Sequence, residues 1–158
     1  VTLPIIFLSA RDSDFDMVSG LRLGADDYLT KDISLPHLTA RVAALFRRVA
    51  AMEHSSDTRT LQVGELKLDM DRLTAEWKGR KVDLTLTEIW ILHALVLHPG
   101  HVKSRDQLME AADIYVDTAT VTSHIKRIRR KFNRLDPQFN AIDAVYGIGY
   151  RWKDESER

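Results

Sequence analysis

The sequence contains no cysteine, which excludes disulfides, thiol nucleophiles and thiolate metal sites and is compatible with a reducing compartment. No stretch approaches the roughly 18 consecutive apolar residues that a membrane-spanning helix needs, so no membrane partner is expected. A secretory signal is also missing, and the expected location is cytoplasmic. Signatures of catalysis are equally scarce. There is no glycine-rich phosphate loop, no pair of carboxylates in a credible pocket and no nucleophile motif, so the chain is not read as an enzyme and no catalytic residue or cofactor is expected. His93, His98 and His101 are loosely spaced with no obvious acidic ligand nearby, and no metal site is expected.

Net charge is lacking too: 23 Lys and Arg balance 23 Asp and Glu, so only the distribution of charge can point to a partner. That distribution is uneven. Residues 118–134 carry six basic side chains, Lys126, Arg127, Arg129, Arg130, Lys131 and Arg134, and no acid. The chain opens on Val1 and enters an apolar run at once, as though cut at a strand boundary, which suggests a piece of a longer protein.

At 158 residues the chain can form one ordinary domain or two small ones, and any pair of cores must be modest. Residues 4–10 (PIIFLSA) form a short apolar run of the length expected for a strand buried on both faces of a parallel sheet. Residues 14–23 place Phe15, Val18 and Leu21 or Leu23 near helical spacing and stop at Gly24, the pattern of a helix. Residues 27–31 read as a second strand. Residues 34–48 follow as a helix with Leu38, Val42, Leu45 and Phe46 on one side. Strand, helix, strand, helix results.

Periodicity is lost over residues 53–60 (EHSSDTRT), and the unit boundary is placed there, with a linker over 49–60. Beyond it, residues 65–69, 73–77 and 81–84 alternate around a turn at Gly79, the pattern of a small antiparallel sheet. Thr85 with Glu88, and Ser104 with Gln107, have capping-box spacing and predict helices running to about residues 98 and 112. A third helix is predicted over 118–134, anchored by the stripe Val121, Ile125, Ile128 and Phe132. Residues 142–152 (IDAVYGIGYRW) read as a glycine-turned hairpin.

At about 100° per residue, the side of the third helix away from its stripe presents Ala119, Ser123, Lys126, Arg127 and Arg130, with Thr122 and Arg129 flanking. Short side chains come first and basic ones follow, which is what close approach to a major groove requires. Alone, such a stripe is equally a solvated cationic face. Two capped helices before it and a hairpin after it turn it into a winged helix.

The motif T-V-x-x-H-I-x-R-I-R over residues 120–129, with G-x-G-Y-R over 147–151, resembles the effector domain of OmpR/PhoB-type response regulators. Leu84-Thr85-x-x-Glu88 and Ser104-Arg105-x-x-Leu108 extend the resemblance across residues 61–152. It implies a sequence-specific double-stranded DNA-binding transcriptional regulator, with the third helix in the major groove and the hairpin along the minor groove. Base contact then falls to Arg127, base or phosphate contact to Lys126, Arg129 and Arg130, close approach to Thr122 and Ser123, and backbone contact to Tyr146 and Arg151. The hairpin departs from the family's V-R-G-T-G-Y, carrying Tyr146 and Ile148 in place of arginine and threonine. Gly147 and Gly149 are read as turn residues that need positive φ. His124 is read as a packed residue, not a proton carrier. The loop before the third helix is shorter than the family pattern and lacks its tryptophan, which leaves contact with RNA polymerase, a partner the resemblance implies, without its usual residues.

Residues 3–48 resemble the last two strand–helix units of a receiver domain, with Ser9 ending one strand and Gly24-Ala25-Asp26-Asp27-Tyr28 leading to Lys31. The implied fold class is an α/β remnant of a flavodoxin-like receiver, two strands and two helices over 1–48, followed by an α+β winged helix-turn-helix domain over 61–154. Ser9, Tyr28 and Lys31 are the implied switch residues around an aspartyl phosphate. The acceptor aspartate would belong to earlier strands, so the chain as written is not expected to be phosphorylated. A sensor histidine kinase is the implied partner of the intact protein. Homodimerisation through the remnant is implied by Asp26, Asp27, Arg41 and Arg48, which match the family's acid–arginine pairs.

Overall fold

The computed structural model describes residues 3–10, 25–53, 60–112 and 118–154. In the N-terminal unit, β1 (Ile6–Ser9) and β2 (Asp27–Thr30) pair in parallel, Ile6 against Asp27 and Ser9 against Thr30. Helix α1 (Leu35–Glu53) follows. The helix expected over residues 14–23 lies outside the described residues. The expectation that residues 4–10 are buried on both faces does not hold: Ile5, Phe7 and Leu8 are all substantially exposed. Two described strands offer a small surface to pack on: among the described residues of this unit Ala25 and Tyr28 form a buried apolar cluster, with Leu29, Ala44 and Leu45 also buried. Helix α1 also runs five residues past the expected end at 48, because Ala50, Ala51, Met52 and Glu53 are all good helix formers and contain no breaker.

The C-terminal unit begins with an antiparallel meander of β3 (Thr60–Val63), β4 (Leu66–Asp69), β5 (Thr74–Trp77) and β6 (Arg80–Val82). Strand β3, which starts on the last residue of the expected linker, is not among the expected strands; its burial alternates over only four residues, too short a pattern to stand out beside a polar stretch. The β5–β6 hairpin turns on Lys78 (φ 51°) and Gly79 (φ 75°), two successive left-handed residues that match the twist of the strands they join.

Helix α2 (Leu86–Val96) starts with the expected capping box: Glu88 N donates to Thr85 Oγ1 (3.3 Å) and Thr85 N donates to the Glu88 carboxylate (2.8 Å). The helix ends at Val96, two residues short of the expected 98. Helix α3 (Arg105–Ala111) starts the same way, from Ser104 and Gln107. Helix α4 (Thr118–Leu135) is followed by β8 (Ile142–Val145) and β9 (Gly149–Trp152). A two-residue strand, β7 (Lys103–Ser104), completes a second sheet in the order β7-β9-β8. The stripe Val121, Ile125, Ile128 and Phe132 is completely buried, worth about 1.5–3 kcal/mol per side chain relative to exposure. Around Phe132, the rings of Trp77, Phe139 and Trp152 pack edge-on or stacked, Phe132 and Phe139 at 4.5 Å. Meander, helices and hairpin therefore share one core.

The two units touch at a buried carboxylate. Asp26 is 1% exposed; one of its oxygens accepts from Ile5 N (2.8 Å) and the other from Thr87 N in the first turn of α2 (2.9 Å).

Candidate nucleic-acid interface

With its apolar stripe turned inward, α4 exposes Lys126, Arg130 and Asn133, with Ser123 and Arg129 half-exposed beside them. Lys126 and Arg130 are one turn apart, so their side chains leave the same face. Arg129 reaches toward the hairpin. Its Nη2 donates to the Ile142 carbonyl (3.0 Å), and its guanidinium sits 5.8 Å from the centre of the Tyr150 ring. Arg105, at the start of α3, lies 5.8 Å from that ring as well. Thr122 joins these pieces: its Oγ1 accepts from Arg105 Nε (3.2 Å) and from the Tyr150 hydroxyl (3.3 Å). Both lone pairs of that oxygen are thereby used, leaving only its own O–H to donate. Helix α3, helix α4 and the hairpin are thus fixed around one threonine and one aromatic ring.

Arg127 does not take the outward position expected of it. It is 5% exposed, and its Nε donates to Glu88 Oε1 at 2.6 Å. Lys131, one turn on, places Nζ 2.7 Å from Glu88 Oε2. Arg127 is therefore turned into the body of the unit and is not on the outward face of α4. Burial pushes the Glu88 carboxyl upward, but the Arg127 and Lys131 charges, with the Lys131 and Thr85 hydrogen bonds, more than reverse this and hold it below its ordinary 4.5. One carboxylate caps α2 and anchors α4. His124 is also fully buried.

The hairpin turns over residues 145–148, where Ile148 N donates to the Val145 carbonyl (3.0 Å). Gly147 has the positive φ expected of it (73°), but Gly149 does not need one. A Cβ at Gly149 would lie 1.9 Å from the Lys103 carbonyl oxygen, so the glycine is required by the close approach of β7 instead. Tyr146 stands wholly exposed at the tip. Arg151 is tied across the strands to Asp143 (3.3 Å).

In the N-terminal unit, parallel register brings Ser9 and Lys31 to the same end of the strand pair, where Lys31 N donates to the Ser9 carbonyl (2.7 Å). Tyr28 is buried. Asp26 is taken up by Ile5 and Thr87, and Asp27 lies 3.9 Å from Arg41 within the same chain. Neither acid is presented outward, and the side chain of Arg48 lies outside the described residues. Arg105 is the residue that the sequence reading missed. It stands in a capping-box motif, and only the fold brings it beside Thr122. Among the described residues no group of His, Asp and Glu is placed to hold a metal ion, and no helix is long and apolar enough to cross a membrane.

Residues 79–152 match the family model described as "Transcriptional regulatory protein, C terminal". Over 99% of its length the chain is 39% identical to the transcriptional regulatory protein BaeR of Escherichia coli O6:H1, and it spans 65% of BaeR. It also aligns over 95% of its length, at 31% identity and a TM-score of 0.53, with the response regulator DrrB of Thermotoga maritima, described as an OmpR/PhoB homolog, of which it covers 66%. The chain belongs to the OmpR/PhoB family of response regulators. Within that family its C-terminal unit, 60% of the chain, aligns with 97% of the Klebsiella pneumoniae RstA DNA-binding domain in complex with the RstA box, at 27% identity and a TM-score of 0.52. The architecture of a receiver-like N-terminal region followed by a winged helix is that of these OmpR/PhoB relatives.

Proposed function

We propose that this chain is a sequence-specific double-stranded DNA-binding regulator of transcription within a two-component phosphorelay, with α4 entering the major groove and the hairpin β8–β9 acting as the wing. The observation that carries it is the pairing of Lys126 and Arg130, exposed one turn apart on the helix face left free by a fully buried stripe. Ser123 sits beside them with a short side chain, which permits close approach to base edges. Arg129 and Arg105 flank the face and suit phosphates. That the similar RstA DNA-binding domain is found in complex with its RstA box supports DNA as the ligand of this unit.

The adjoining strand ends that carry Ser9 and Lys31, with Tyr28 buried beneath, support reading the N-terminal unit as part of a receiver served by a sensor histidine kinase in the intact protein. RNA polymerase is the further partner of such a regulator. Homodimerisation belongs to the same reading, but its acids Asp26 and Asp27 would first have to leave their partners within the chain.

Four cations remain for DNA, with Arg105 in the place of Arg127. Neutralising about four phosphates gives a slope of log affinity against log salt near −3.6. The test is selection of bound duplexes from random DNA with wild type and with Lys126→Ala/Arg130→Ala. Wild type is expected to enrich a motif, the double variant to lose it, and the salt slope to become shallower by about 1.8, with the thermal midpoint unchanged. Enrichment of the same motif by both proteins, or a flat salt response of the wild type, would overturn the reading.

A further inference from the structure

The tip of the wing is the most conspicuous surface that folding does not explain. Tyr146 is wholly exposed and Ile148 is 59% exposed, on either side of Gly147 in a turn of four residues. Neither side chain belongs to the core. Turn positions ordinarily carry Asn, Asp, Ser or Gly, which satisfy backbone groups or adopt positive φ; Gly147 alone meets that need here. The stretch 144–150 (AVYGIGY) contains no charged residue. The nearest cation within the hairpin's own sequence, Arg151, is paired with Asp143 at 3.3 Å.

The base beneath this tip is fixed. Gly149 lies against the Lys103 backbone so closely that no side chain fits between them. Arg129 holds the Ile142 carbonyl, and Tyr150 holds Thr122. The hairpin is therefore continuous with the flank of α4 that carries Lys126 and Arg130. With α4 in a major groove, a hairpin rooted on its flank extends toward the neighbouring minor groove, about 6 Å wide.

We propose that Tyr146 and Ile148 form an uncharged wedge at the wing tip, which reads how easily the minor groove opens and not its negative potential. The proposal rests on the DNA-binding reading above and specifies how one part of that surface selects sequence. An uncharged tip releases no counterions and gains nothing from the strong negative potential of a narrow A-tract groove. What Tyr and Ile can do is insert apolar surface at a base step, and flexible pyrimidine–purine steps such as TA and CA/TG yield at least cost. The preferred site should carry such a step beneath the wing.

The test uses the full chain and a duplex from the selection described above, with the segment beneath the wing rebuilt either as an A-tract or around a central TA step. Affinity is measured over a salt series. Wild type should favour the TA duplex. Tyr146→Ala/Ile148→Ala should bind it about ten-fold more weakly, with an unchanged salt slope and no preference left between the duplexes. Tyr146→Arg should steepen the slope by about 0.9 and turn the preference toward the A-tract. Both sites are exposed, so stability should hold in every variant. If Tyr146→Ala/Ile148→Ala binds and discriminates like wild type while Lys126→Ala/Arg130→Ala loses binding, the wedge is wrong, the tip is left to a protein contact, and the DNA-binding reading stands. If wild type selects no duplex at all, that broader reading is what fails.

Discussion

Arg127 and Arg130 lie three residues apart on one helix and occupy opposite environments. The first is shut in against Glu88 and the second stands in water. Their side chains are identical, so the difference comes from a carboxylate on α2, 39 residues earlier in the chain. A cationic side chain near the edge of a helix's polar face belongs to the surface only if nothing across the core claims it. The energies differ accordingly: breaking a buried ion pair by removing one partner costs about 3–5 kcal/mol, whereas an exposed charge contributes at most about 1 kcal/mol to stability.

That contrast can be broken most directly at Glu88. Glu88→Gln keeps the shape and removes the charge that compensates Arg127 and Lys131, and about 3–5 kcal/mol of stability should go with it, read from the urea midpoint by tryptophan fluorescence. Arg127→Met should cost a comparable amount on its own. Combined with Glu88→Gln it should cost much less than the sum of the two single changes, because the pair is then removed together. The folded fraction of Arg127→Met should keep its DNA affinity. An unchanged midpoint with lost affinity would return Arg127 to the DNA-facing side.

Acid should act more gently on the same flank. Glu88 is held below its ordinary 4.5. Asp136, which receives the Lys78 ammonium (2.8 Å) and the Trp77 indole N–H (2.9 Å), is held at about 2, against an ordinary 3.8. A carboxyl depressed on folding contributes fully above its unfolded value and loses that contribution as pH falls through its folded one. The urea midpoint should therefore stay level between pH 7 and about 5 and fall progressively from about 4.5 toward 2. A level midpoint down to pH 2.5 would mean that neither carboxylate is engaged as described. The smallest effect is expected at Lys131, whose side chain is 25% exposed: Lys131→Met should change stability by no more than about 1 kcal/mol.

Much of this was legible from local pattern. The stripe Val121, Ile125, Ile128 and Phe132, both capping boxes, the Gly79 turn and the hairpin over 142–152 all rest on interactions within a few residues of one another, where spacing is informative. What periodicity could not decide was Arg127. At about 100° per residue, Lys126 and Arg127 stand roughly 50° to either side of the direction opposite the stripe, so helical geometry treats them alike. Local pattern is equally silent on why position 149 must be glycine. Its requirement comes from Lys103, a strand neighbour far away in sequence, and not from its own turn. The motif around Arg105 explains a helix start and is silent about Thr122 and Tyr150, which the fold brings beside it. Strand β1 was expected to be covered on both faces from its composition alone, which carries no information on what is available to cover it.

The carboxylate of Asp26 grips the amide of Thr87, and the very next residue, Glu88, holds Arg127 and Lys131 of α4. A single peptide unit of α2 is thus all that separates the clasp between the two units from the root of the helix that bears Lys126 and Arg130. Any movement that draws Asp26 away pulls at the turn on which that helix is seated.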